Sequence, residues 1–208
     1  MMSPTPSLFL CSHFARVVSL LPDSVEGARV VFIPTAARRE SYTAYVDAAR
    51  DAWRNSGAEM HEVDVSAVDR ASAEAAVDAA DIIYVSGGNS YFLIDQLRGS
   101  GLGEVLKNRV RAGALYVGES AGAVACAPDI SYIEPMDCVP NDFSQQDGAG
   151  LGLTNFYVVP HYQSEPFSWA ADTILEKNAD LPLKPLTNSE ALLVRGIEVR
   201  RLSVPAGE

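Results

Sequence analysis

Apolar segments of strand length alternate with amphipathic segments of helix length along most of this 208-residue chain. The alternation is typical of α/β proteins with a mostly parallel sheet, because parallel strands need crossover connections and are covered on both faces. It predicts strands at residues 7–11, 30–33, 60–65, 82–85, 114–117 and 156–159, and helices at 41–55, 71–80, 91–97 and 103–112. Two further apolar segments, 191–194 and 197–202, flank Gly196 and predict an antiparallel C-terminal hairpin at the sheet edge.

Composition limits the classes of protein to consider. With 208 residues and 48% hydrophobic content, we expect one domain over residues 1–208. A net charge of −11 argues against nucleic acid or an anionic membrane surface as partner. The N-terminal segment does not resemble a secretory signal, and no apolar run reaches membrane-spanning length, so a cytoplasmic location is expected. Three cysteines without paired spacing indicate reduced thiols rather than disulfides or a zinc site.

The segment Gly118-Glu119-Ser120-Ala121-Gly122 follows the strand predicted at 114–117 and precedes a short helical segment. Small residues around a serine at a strand-to-helix turn are typical of a nucleophile elbow, which exposes the hydroxyl above the sheet edge. Backbone N–H groups at the start of the helix can bind an oxyanion. We therefore predict Ser120 as a nucleophile and the Ala121 N–H as an oxyanion donor.

A second loop with suitable chemistry follows the strand predicted at 82–85 and reads Ser86-Gly87-Gly88-Asn89-Ser90. Paired glycines let a backbone approach a ligand closely, so Gly88 is the candidate for the second oxyanion donor. Asn89 is a candidate for the cap of the next helix and for contact with substrate. Both loops are expected at the carboxyl edge of the sheet, where ligands of α/β proteins bind.

A serine nucleophile needs a base, and the chain has only three histidines. His13 follows the first strand and His61 lies within a strand, whereas His161 follows the strand at 156–159 and is expected at the same edge as Ser120. His161 is therefore the predicted general base. It in turn needs a carboxylate to orient it, and the candidates are Glu190, Asp137 and Glu134. The last two belong to a long segment, residues 128–153, that is expected to border the site.

These motifs together resemble the peptidase E family of serine peptidases, which includes aspartyl dipeptidases and the more distant cyanophycinases. The resemblance rests on the residues 84–90, 113–123 and 159–161, in that order along the chain. It implies a three-layer sandwich with a mostly parallel sheet, similar to class I glutamine amidotransferases. It further implies a Ser120 nucleophile, a His161 base, a glutamate that corresponds to Glu190, and a homodimer.

Two departures from the family bear on the triad and on the substrate. An aspartate proposed about fifteen residues after the family's serine corresponds to Pro135 here, which leaves Asp137 or Glu134 for that role. Aspartate-specific members have an arginine on the helix after the histidine, but residues 163–180 contain no arginine and Lys177 is their only basic residue. A lysine does not replace a bidentate arginine, so we do not expect aspartate specificity.

The predicted activity is hydrolysis of di- and tripeptides from a free N-terminus, through an acyl-enzyme and without metal or cofactor. Glu119 or Glu134 is expected to bind the substrate's amino group, with Glu119 replacing the bulky aromatic residue common in the family. An esterase of the α/β-hydrolase type, with Asp137 or Asp147 as its acid, remains an alternative. A non-catalytic small-ligand module of the same fold is the third interpretation.

Overall fold

The computed structural model describes residues 6–144 and 147–205, so the ends of the predicted domain and positions 145–146 lie outside the described residues. Its main sheet has seven strands in the order β3-β2-β4-β5-β1-β8-β9. Strands β1 to β5 are parallel, whereas β8 and β9 form an antiparallel hairpin beside β1. The strands of the main sheet are β1 (Ser7–Cys11), β2 (Arg29–Ile33), β3 (Glu59–Glu62), β4 (Ile82–Val85), β5 (Leu115–Glu119), β8 (Glu190–Arg195) and β9 (Glu198–Ser203).

Helices cover both faces of this sheet. They are α1 (Phe14–Val17), α2 (Ala44–Asn55), α3 (Arg70–Ala79), α4 (Ser90–Gly99), α5 (Leu102–Arg111), α6 (Ala121–Val124) and α7 (Ser168–Lys177). Short 3-10 helices occupy Val18–Leu20, Thr35–Arg39 and Ser131–Ile133. Within the described part of the chain, no helix is long and apolar enough to cross a membrane.

Alternate side chains of each central strand enter different cores, as the two-residue period of a strand requires. Phe9 of β1 packs with α1 and α2 on one face, whereas Leu8 and Leu10 pack with α3 to α6 on the other. The first core centres on Tyr84, whose ring lies 5.1 Å from that of Phe14. This two-sided burial explains why the central strands are apolar throughout, and it confirms the predicted α/β sandwich.

The sequence predicted most of the main-sheet elements and the C-terminal hairpin. The strand predicted at 60–65 is shorter in the structure and ends at Glu62. Three of the helices and strands were not predicted: α1, α7 and the strand β7 (Leu183–Pro185). β7 pairs with β6 (Tyr157–Val159) in a separate two-stranded parallel sheet, so His161 follows a strand that is not part of the main sheet.

Candidate active site

Ser120 lies in a strained turn between β5 and α6. Its backbone has φ 49° and ψ −108°, outside the regions that L-residues favour, and its N–H donates to the Cys11 carbonyl at 2.8 Å. The neighbouring glycines are required because a Cβ at Gly122 would lie 2.2 Å from the Val85 oxygen. Ser120 is the N-cap of α6, so the Ala121 amide belongs to the first helical turn, whose N–H groups have no partner within the helix.

The Gly87–Gly88 loop packs directly beside this turn. Gly88 has φ 132°, and a Cβ there would lie 2.2 Å from the carbonyl carbon and oxygen of Ala36. Asn89 caps α4 by accepting from the Phe92 N–H at 2.8 Å, and its amide nitrogen donates to the Cys138 carbonyl at 2.8 Å. The structure therefore engages both ends of the Asn89 side chain in holding the loop, which favours its capping role over the predicted contact with substrate.

His161 approaches Ser120 from the small β6–β7 sheet. Its Nε2 lies 3.0 Å from Ser120 Oγ, as the sequence-based assignment of nucleophile and base requires. Two contacts hold the histidine: its backbone N–H donates to Ser12 Oγ at 3.0 Å, and its ring stacks on that of Phe167 at 4.9 Å. Its backbone has a positive φ of 59°. Ser120 and His161, which contact each other through their side chains, thus both have strained backbones. Such strain is common at active sites.

The residue on the other side of the imidazole is Asn188. Its Oδ1 lies 2.7 Å from His161 Nδ1. Glu190, which the sequence favoured, has its carboxylate in two other hydrogen bonds: it accepts from the Thr187 N–H at 2.8 Å and from Arg201 at 2.9 Å. The geometry therefore corrects the predicted third member, since an amide oxygen two residues earlier in the same turn takes the place expected for the Glu190 carboxylate.

This arrangement leaves His161 suited to act as a base. With the Asn188 oxygen facing Nδ1, the ring proton sits on Nδ1 and Nε2 is free to accept the Ser120 proton. Burial lowers the pKa of His161, and nearby His13 lowers it further, while the hydrogen bond to Asn188 opposes both. The imidazole is therefore neutral at pH 7.

The acids of the long segment lie apart from His161. The half-buried Asp137 carboxylate accepts from the Ser90 N–H at 2.8 Å, and burial raises its pKa to about 6. Glu134 is exposed, and Asp147 pairs with Arg98. Asp137 thus borders the Gly88 loop, as expected for this segment, but the structure does not bring Asp137, Glu134 or Asp147 to the imidazole.

Glu119 is enclosed in the core rather than exposed to a substrate. The residue is 1% exposed, its Oε1 accepts from the Phe14 N–H at 2.7 Å, and its Oε2 accepts from the Tyr84 hydroxyl. These contacts leave no free face of the carboxylate for the amino group of a peptide. The structure therefore removes Glu119 from the predicted substrate contacts.

The remaining histidines take different positions. His61 lies in β3 and lines a groove of about 790 Å³ between β2, β3 and α3, which contains none of the predicted site residues. His13 lies beside the site, with Nδ1 3.9 Å from Glu119 Oε1. No group of three or more histidine, cysteine or acidic side chains in the described ranges is arranged to share a metal ion.

The sequence did not predict three residues that hold His161 in place: Ser12, Phe167 and Asn188. Ser12 directly follows β1, and a polar residue at the carboxyl end of a central strand is a recognisable signal. Asn188 lies in the turn Thr187-Asn188-Ser189 before β8, where the expected partner of a histidine base was a carboxylate and not an amide. Phe167, directly before α7, carries no distinguishing pattern, because a single aromatic residue at the start of a helix has many roles.

The sheet topology and the serine–histidine pair at its edge define an α/β protein with the class I glutamine amidotransferase-like fold. The sequence model of peptidase family S51 matches residues 11–202. An uncharacterized peptidase of Pasteurella multocida is 40% identical over 191 residues, which cover 90% of this chain and 92% of the relative. The chain therefore belongs to peptidase family S51.

Further relatives agree with this assignment. Peptidase E of Streptomyces coelicolor is 35% identical over 182 residues, covering 82% of this chain and 69% of the relative. A crystal structure of a Listeria monocytogenes EGD-e protein assigned to peptidase E superposes with a TM-score of 0.92 at 34% identity, over 96% of this chain and 99% of that one. Both the fold and the sequence thus connect the chain to peptidases.

Proposed function

We propose that the protein is a serine peptidase that hydrolyses di- and tripeptides from a free N-terminus through an acyl-enzyme. The single observation that supports this most is the continuous contact from Ser120 Oγ to His161 Nε2 and from His161 Nδ1 to Asn188. A hydroxyl is a weak nucleophile until a base takes its proton, and this pair provides that base. Membership of a peptidase family supports a peptide bond as the target.

In the proposed reaction Ser120 Oγ attacks the scissile carbonyl carbon while its proton passes to His161 Nε2. The N–H groups of Gly88 and Ala121 stabilise the oxyanion of the tetrahedral intermediate. His161 then gives the proton to the leaving amine, and water hydrolyses the acyl-enzyme with His161 again as base. Asn188 keeps the ring oriented and its proton on Nδ1 throughout.

The proposed substrate has a free amino group and no requirement for an acidic first residue. Because Glu119 is enclosed, Asp137 and Glu134 of the long segment are the acids that remain to bind an ammonium group. The helix after His161, α7, carries Lys177 only in its last turn and no arginine. An aspartate side chain on the substrate therefore lacks the bidentate partner that it needs.

The test is hydrolysis of a panel of di- and tripeptides, free and N-blocked, with Asp, Leu or Met as first residue. We expect cleavage of the free peptides, no preference for Asp over Leu, and a loss of at least about 10⁴-fold in Ser120→Ala. Ser66→Ala, an exposed serine of the loop after β3, is the matched control and keeps full activity. Hydrolysis of p-nitrophenyl esters far above that of any peptide would contradict the proposal and favour the esterase.

A further inference from the structure

Glu119 is the buried carboxylate beside the nucleophile, and its burial needs a physical reason. A carboxylate removed from water is costly unless hydrogen-bond donors replace the solvent. Two donors are direct: the Phe14 N–H at 2.7 Å and the Tyr84 hydroxyl. The Gly87 backbone N–H is a third favourable contact, and it lowers the pKa of Glu119 as the other two do. Every one of these partners donates, which matches an ionised carboxylate that only accepts.

These donors come from separate segments that together form the edge of the site. Phe14 begins α1, Tyr84 lies in β4, and Gly87 precedes Gly88, the proposed oxyanion donor. Glu119 itself is the last residue of β5 and the neighbour of Ser120. One side chain thus links the nucleophile turn to the oxyanion loop and to the start of α1.

We propose that Glu119 is a positioning residue, and that its ionised carboxylate holds the Ser120 turn and the Gly87–Gly88 loop in the geometry that attack on a carbonyl requires. Protonation removes one acceptor position from the side chain and loosens this link. The donors that face the developing oxyanion then lose their fixed distance from Ser120, and the rate falls. The effect on rate rests on the proposed function, whereas the link itself does not.

The charged and titratable groups around Glu119 do little to stabilise its negative charge. His13 Nδ1 lies 3.9 Å away, but the pKa of His13 is itself lowered by burial and by Arg16. The other titratable neighbours, Cys11 of β1, Tyr84 of β4 and Tyr45 of α2, are neutral acids whose pKa values rise through burial and the charge of Glu119. No arginine or lysine of the described residues pairs with it. Burial accordingly raises the pKa of Glu119 to about 7, although the contacts with Tyr84, Phe14 and Gly87 oppose the rise.

The pKa of His161 is lowered from its ordinary value of 6.5, whereas burial raises that of Glu119 to about 7. Neutral His161 and ionised Glu119 are both needed for activity. The acid limb of the kcat/KM profile of the wild type is therefore set by Glu119 near pH 7, and not by the base.

The first experiment measures the pH profile of kcat/KM for the wild type, Glu119→Gln and the control Glu198→Gln, which removes the same charge from the exposed face of β9. For Glu119→Gln we expect at least about a tenfold loss at pH 8 and an acid limb shifted to lower pH, where His161 titrates. The control keeps the rate and profile of the wild type. A Glu119→Gln profile that superimposes on the wild type overturns the proposal.

The second experiment needs neither activity nor a Glu119 variant that folds. In ¹H–¹⁵N spectra of the wild type and of Ser120→Ala, we expect the Phe14 and Gly87 amide signals to shift together with one midpoint near pH 7. Absence of a common midpoint contradicts the link, even if peptides are hydrolysed. Conversely, a common midpoint in a protein that cleaves no peptide upholds the link and refutes the proposed function alone.

Discussion

Ser120 and His161 meet at 3.0 Å, but they are held in different ways. Ser120 follows β5, a central strand with β4 and β1 on either side, and its turn is fixed by close backbone packing. His161 follows β6 in a two-stranded sheet and depends on side chains from distant parts of the sequence, Ser12 and Asn188. The proposed nucleophile is thus built into the main sheet, whereas the proposed base is held by long-range contacts.

This difference indicates where substitutions should damage the fold and where they should damage only the chemistry. Changes at the nucleophile side alter backbone packing, so stability and activity are expected to fall together. Changes at the histidine side remove single hydrogen bonds at a half-buried position, so activity is expected to fall with little change in stability.

Gly88→Ala should have the largest effect. A Cβ 2.2 Å from the Ala36 backbone, at φ 132°, cannot be accommodated without moving that backbone. We expect a loss of more than about 2 kcal/mol in the free energy of unfolding, together with loss of peptide hydrolysis. Denaturant unfolding and activity assays check this.

The control for that variant is Gly152→Ala, where φ is also positive, at 63°, but no atom lies within 4 Å of the added Cβ. It should cost only about 1 kcal/mol, the ordinary strain of a left-handed residue. If the two variants are equally stable, close packing does not hold the Gly87–Gly88 loop.

Asn188→Ala should have the next largest effect, mainly on activity. Without the amide oxygen at 2.7 Å, the imidazole loses its orientation and its preferred tautomer. We expect kcat to fall by about 10- to 100-fold, with the free energy of unfolding changed by less than about 1 kcal/mol. The exposed Asn108→Ala is the matched control, and equal rates for the two variants would exclude a role for Asn188.

Asn188→Asp should raise the pKa of His161 rather than remove activity. A carboxylate in place of the amide favours the charged imidazolium and raises the pKa of His161 by about one unit or more. Since neutral His161 is the proposed base, the variant should lose activity at pH 6 relative to pH 8 more strongly than the wild type. Titration of the His161 ring signals by NMR measures the shift directly, and an unchanged midpoint would contradict the contact.

Glu190→Gln should have the smallest effect. The glutamine oxygen can still accept from the Thr187 N–H, and the lost ion pair with Arg201 is partly exposed. We expect a change in kcat of less than about threefold. A loss larger than that of Asn188→Ala would restore Glu190 as the residue that orients the base.

The same contrast explains what the sequence could predict. Ser120, Gly88 and Ala121 could be proposed from the sequence because a nucleophile turn is a local pattern, with the small residues that its backbone requires. The third residue stayed open among Glu190, Asp137 and Glu134, because a carboxylate is the usual partner of a histidine base, whereas Asn188, in the same turn as Glu190, is an amide. The contact between Asn188 and His161 joins residues 27 apart, and that between Ser12 and His161 joins residues 149 apart. Such pairings depend on how β6 and β7 are placed, and neither β7 nor its pairing with β6 was predicted.

The burial of Glu119 also has a thermodynamic consequence for the whole fold. Its pKa rises from 4.5 in the unfolded chain to about 7 in the native protein, so between these values the native state binds more protons than the unfolded one. Its contribution to stability is therefore complete below pH 4.5 and is lost as the pH rises to about 7, by about 3 kcal/mol in all. The lowered pKa values of His13 and His161 act in the opposite direction below pH 6.5.

Urea unfolding of the wild type and of Glu119→Gln, compared at pH 5.5 and pH 8, measures how much Glu119 contributes to the pH dependence of the free energy of unfolding. The wild type should lose stability relative to the variant as the pH rises, and a constant difference would contradict the raised pKa. Ionised Glu119, which we propose is needed for activity, is thus the form in which the native protein is less stable. Conditions that favour long storage and conditions that favour turnover should lie on opposite sides of neutral pH.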